Sequence, residues 1–141
     1  MERGWASVVM WTTEEPSIEL LKTRTFESFS RTLDQRRNGS VRTLRDIFAK
    51  EGRAGVFAGN AVRYDAKTLE DIARRIEPHM DSEAAPILFA ALYGDAIAES
   101  LGYPPLGIPE RGGYDLILSR AIELGRIKIG TAKSDSYSVA Q

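Results

Sequence analysis

The sequence predicts a compact α/β domain, mainly α, of about five helices with a short N-terminal strand and a C-terminal β-hairpin. Three observations predict it. Apolar residues recur at helical spacing through most of residues 16–124, and glycine or proline closes each run. Trp5 to Trp11, WASVVMW, is short, β-branched and aromatic, as a strand is. At the other end RIKIG and SYSVA alternate around the polar turn TAKSD, the pattern of a hairpin.

The first helix follows Pro16, with Thr13 or Glu14 as its cap. Ile18, Leu21, Phe26, Phe29 and Leu33 form its apolar stripe, its other face is basic, and Asn38-Gly39 ends it. Ser40 caps a second, short helix whose Val41, Leu44, Ile47 and Phe48 face inward and whose C-terminal glycine is Gly52. Ala54 to Phe57 then reads as a small strand or turn, with Val56 and Phe57 in the core and Gly59-Asn60 turning behind them. Asp65 or Thr68 starts the next helix, with Leu69, Ile72, Ala73 and Ile76 on one face and Pro78 as its stop. Asp81 or Ser82 starts the following one, AAPILFAALYGDAIAESLG, apolar nearly all round in its first half and so the central buried helix, ended by Gly102. The loop 102–113, with four glycines and three of the six prolines, is ordered by stiff φ angles. Tyr114 to Leu124 is the last helix, and Gly125 its terminator.

At 141 residues, with 43% hydrophobic and 28% charged, the chain fits one soluble domain over 1–141, subdivided into a basic N-terminal helical segment, 1–64, and a winged-helix-like segment, 65–141. The absence of cysteine excludes disulfides, thiolate metal sites and cysteine nucleophiles, and the single His79 excludes a multi-histidine centre. No metal and no cofactor is expected. The longest uncharged stretch, residues 84–94, is far short of the ~20 apolar residues that span a bilayer. Together with an N-terminus unlike a secretory signal, this predicts a cytoplasmic protein without a membrane partner.

The net charge of −1 hides segments of opposite sign: residues 20–64 are basic and 65–110 acidic. Arg31, Arg36, Arg37, Arg42 and Arg45 make a basic face around the first helix–helix turn. Such a face grips phosphates or an acidic protein, or pairs with the acidic segment. His79-Met80-Asp81-Ser82-Glu83, and Asp95 with Glu99 one turn apart, gather catalytic residue types but match no known constellation, so the chain reads as non-enzymatic. In EGRAGVFAGNAVR, residues 51–63, the glycines lack the Lys-Ser/Thr of a phosphate loop.

Residues 84–141 place a helix, a loop, the helix YDLILSRAIELG and the hairpin in an order that resembles winged helix-turn-helix DNA-binding domains. That winged-helix-like resemblance implies a non-enzymatic DNA-binding or regulatory protein that meets duplex DNA through Ser119, Arg120, Arg126, Lys128 and Lys133. The alternative is a small structural or adaptor protein that pairs with itself as a dimer or with an assembly partner. Glu19-x-x-Lys22-x-Arg24 with Glu51-Gly52, Phe57 and Gly59 also resembles the matrix-side signature of mitochondrial carriers, whose spanning helices and three repeats this chain lacks.

Overall fold

A computed structural model of the chain describes residues 7–10 and 14–135, and for 126–135 the backbone alone. Among the described residues six α-helices run in order: α1 (Ile18–Asn38), α2 (Leu44–Ala58), α3 (Ala66–Ile76), α4 (Ala85–Tyr93), α5 (Asp95–Ser100) and α6 (Gly112–Asp135), with a 3-10 turn at Glu77–His79. There is no strand among the described residues, so the α/β, winged-helix-like expectation is corrected to an all-helical fold. Residues 7–10 pair with no strand; Trp5, Ala6 and Trp11 lie outside the described residues. RIKIG and TAKSD continue α6 rather than turning back, and Ser136 to Gln141 lie outside the described residues. Gly125 does not end the helix. Only a glycine forced to positive φ would have stopped it, and an alternating run of this length is also compatible with a helix.

Caps fix where the helices begin. Ser17 accepts from the Leu20 N–H at 3.0 Å, and Thr43 and Asp46 form a reciprocal capping box on α2. Asp65 accepts from the Thr68 N–H at 2.8 Å. The first N–H groups of α2 also donate to the carbonyls of Ser82 and Met80, at 2.9 and 2.8 Å, which locks the 80–82 loop under that helix.

α6 is the central helix, against which α2, α3 and α4 pack. Their shared core contains Leu44 and Phe48 of α2, Leu69, Ile72 and Ile76 of α3, Ala91 and Leu92 of α4, Leu116 and Ile117 of α6, with Met80 and Ile108 from the connections. Gly52 does not terminate α2. It lies mid-helix, where an added Cβ would sit 2.7 Å from Ile117 Cγ2 and 3.2 Å from the Ala121 Cβ, so its lack of a side chain lets α2 approach α6 closely. The terminator is Gly59, left-handed at φ 72°, and the expected strand or turn at Ala54 to Phe57 is the last stretch of α2. Gly94, at φ 94°, divides the expected single helix after Asp81 into α4 and α5.

No residue of α1 belongs to that core. α1 packs on α2 alone among its extensive helix contacts.

Candidate functional site

α1 is amphipathic in the reverse sense from the one its stripe predicts. The face it turns to α2 carries Glu27 and Asp34, which are 3% and 8% exposed. A buried carboxylate is costly unless it is paired and hydrogen-bonded; Glu27 is bonded through both oxygens and Asp34 through its Oδ1. Glu27 accepts from Arg24 at 3.1 Å, from Arg31 at 3.5 Å and from the Asn60 amide at 2.7 Å. Arg31 reaches on to Glu51 of α2 with its Nε at 3.0 Å and a terminal nitrogen at 2.7 Å, the fork geometry that favours arginine over lysine. Asp34 accepts from Arg53 of α2 at 2.7 Å and from Asn38 at 2.9 Å, while Arg24 is also bound to Glu14. Two pairs of this charged layer, Arg31–Glu51 and Arg53–Asp34, run between α1 and α2 and tie the two helices together.

The outward face of α1 is apolar. Ile18 is 74% exposed, Phe26 47% and Phe29 50%, and Leu21 and Leu33 are exposed beside them. α2 extends the patch with Val56 and with Phe57, itself 53% exposed. The Phe57 ring stands edge-on to Phe26 at 5.7 Å and lies 6.4 Å from Phe29, so the three rings form one cluster open to solvent. The expectation that Val56 and Phe57 are core residues is therefore corrected. Charge brackets the stripe: Glu19, paired with Lys22 at 3.1 Å, at its N-terminal end, and Arg36 and Arg37 at its C-terminal end. Those two arginines and Arg42 make no side-chain ion pair among the described residues.

No protein-family model, curated protein or solved structure matches the chain.

The five arginines of the expected basic face separate. Arg31 is turned inward to Glu27 and Glu51, and Arg45 bonds Asp81 at 3.0 Å across to the acidic segment. Arg36, Arg37 and Arg42 are exposed. Of the residues the DNA-binding resemblance implies, Ser119 is half-buried and Arg120 is exposed beside Glu77 at 3.6 Å. Arg126, Lys128 and Lys133 belong to the helical extension of α6, not to a wing. Asp115 is buried and takes the Arg63 Nε at 3.1 Å and its N–H at 3.2 Å, so it faces no groove.

The loose catalytic groupings dissolve as well. Asp95 accepts the Leu106 and Gly107 N–H groups at 2.9 and 2.8 Å and so anchors the proline-rich loop, while the Ser82 hydroxyl accepts from the Ala84 N–H at 3.2 Å. Among the described residues no helix is long and apolar enough to cross a membrane.

Sequence reasoning missed the charged layer. Its trace was there: Glu27, Arg31 and Asp34 share a face at the same spacing as the phenylalanines, with Glu51 and Arg53 to match them on the next helix.

Proposed function

We propose that the protein is a non-enzymatic assembly module that pairs with a second copy of itself through the outer face of α1 and the end of α2. The observation that carries this is the reversal of α1, which buries Glu27 and Asp34 and exposes Ile18, Phe26, Phe29 and Leu33. Contiguous apolar faces of this kind, rimmed by polar groups, mark interaction surfaces. Phenylalanine and arginine are the residue types that such surfaces favour at their anchors.

The occupant follows from charge. An antiparallel pair of α1 helices with its two-fold axis between Phe26 and Phe29 sets Phe26 against Phe29 of the second copy. It also sets Leu33 against Lys22, whose methylene stem covers apolar surface while its head stays in water. Glu19 then meets Arg36 of the second copy, so acid meets base at both ends. The stripe is roughly 30 Å long, and the antiparallel arrangement also places opposite helix dipole ends together. An isologous contact of this kind is the commonest route to a closed dimer.

DNA binding through Ser119, Arg120, Arg126, Lys128 and Lys133 would have to proceed from α6 without a wing, and it leaves the α1 face unexplained. Sedimentation velocity of the full chain over a concentration series tests the assembly reading. The expected result is a dimer that Phe29→Asp converts to a monomer with unchanged circular dichroism. A strict monomer at all concentrations contradicts it, and a monomer that co-floats with lipid vesicles assigns the face to a membrane surface instead.

A further inference from the structure

On the inner side of α1 the charged layer borders a cavity of about 250 Å³, closed by the 60–63 connection and by the first turn of α6. Four arginines line it: Arg24, Arg31, Arg63 and Arg111. Three are held by carboxylates, Arg24 by Glu14 and Glu27, Arg31 by Glu27 and Glu51, and Arg63 by Asp115. Arg111 has no carboxylate partner among the described residues; its guanidinium lies over the Tyr114 ring, 5.1 Å from the centroid. We propose that the cavity binds a small oxyanion, the carboxylate or phosphate group of a small molecule, with Arg111 as its principal ligand.

The backbone gives an independent reason. Arg111 is the one non-glycine residue at positive φ among those described, at 54°. A side chain disfavours that conformation, and glycine would take it freely. The neighbours impose it. An added Cβ on Gly113 would fall 2.0 Å from the Ala91 carbonyl oxygen, so the start of α6 lies directly on α4, while the Arg111 N–H is fixed to the Tyr93 carbonyl at 2.9 Å. The chain thus carries arginine where its own geometry favours glycine, and that arginine faces the cavity. Strain retained at a ligand-lining residue is the pattern expected of a binding site.

A guanidinium offers parallel donors to two oxygens of a carboxylate or phosphate. The cavity also lies at the start of α6, whose positive dipole end favours negative charge. Burial, together with the nearby charge of Glu51 and a hydrogen bond with Tyr93, pushes the Tyr114 phenol up, so its hydroxyl stays protonated and adds no negative charge to the wall. Its volume, slightly under the usual range for drug-sized ligands, fits a small molecule.

Thermal unfolding of the full chain tests this, with sodium phosphate or sodium acetate replacing chloride at constant ionic strength. Arg111→Gly serves as the comparison, because glycine adopts the φ of this position without strain and keeps the fold. The wild type is expected to gain a tenfold increase in its folded-to-unfolded ratio for each tenfold increase of the bound anion above its Kd, and Arg111→Gly to lose that dependence. A response to phosphate alone assigns a phosphate group; one to acetate alone assigns a carboxylate. Equal responses of the two proteins, or none in the wild type with either anion, overturn the proposal. Phe29→Asp, on the opposite face of α1, is expected to leave the anion response intact whatever it does to assembly.

Discussion

Two residues carry opposite lessons about the same amino acid. Gly52 sits against Ile117 and Ala121, whereas Gly125, also inside a helix, has nothing within 4 Å of an added Cβ among the described residues. Gly52→Val is therefore expected to lose about 1–3 kcal/mol by forcing α2 off α6, the usual cost of overpacking. Gly125→Ala is expected to gain up to about 1 kcal/mol from helix propensity alone. Urea unfolding midpoints check both. Glu27 is the third residue of consequence, because its removal leaves Arg24, Arg31 and Asn60 without a shared acceptor. Glu27→Ala is expected to cost about 3–5 kcal/mol by the same measurement, the range for breaking one side of a buried ion pair. Neither Gly52 nor Glu27 was legible as a packing residue in the sequence. A glycine near a helix end reads as a terminator, and a glutamate between phenylalanines reads as solvated, because spacing gives a side chain's direction along a helix but not which face meets the core.

The helices themselves were largely legible. Asp65 and the apolar run Leu69, Ile72 and Ile76 gave α3, where cap and period agreed, and Leu44 and Phe48 gave the buried face of α2, although its cap is Thr43 rather than the expected Ser40. The two ends of the chain were not. RIKIG alternates like a strand, yet it extends α6, whose helical register had already been set by the packed residues Leu116 and Ile117. The caps make a prediction at this scale. The Thr43 N–H and hydroxyl, with the Arg42 N–H, hold the Asp46 carboxyl below its ordinary value, and the Thr68 N–H and hydroxyl do the same for Asp65. A carboxyl whose folded pKa is depressed contributes fully above its unfolded value, ~3.9, and loses that contribution as pH falls through the folded value. α2 and α3 are thus expected to fray at their N-termini in acid below about pH 4. Replacing both residues by asparagine is expected to flatten the acid limb of a stability-against-pH curve, and an unchanged limb contradicts the capping account.

For the whole molecule, the arrangement is a helical core of α2 to α6 with α1 outside it, attached by the pairs Arg31–Glu51 and Arg53–Asp34 and by the contact of Phe26 and Phe29 with Phe57. Segment charge alone left two readings for the basic 20–64 region, binding an anionic partner or pairing with the acidic 65–110 region. The contact Arg45–Asp81 does the latter, but Arg31 and Arg53 find their acids, Glu51 and Asp34, within the basic segment itself. This leaves Arg36, Arg37 and the phenylalanine cluster facing outward together, which is what pairing with a second copy uses. The most direct test is a charge exchange read by sedimentation equilibrium. Glu19→Arg and Arg36→Glu are each expected to weaken the dimer about tenfold, equivalent to about 1.4 kcal/mol, by setting like charges against each other, and the double variant to recover wild-type affinity. Single variants that dimerise as the wild type does, or a double variant no better than either, would contradict antiparallel pairing through α1.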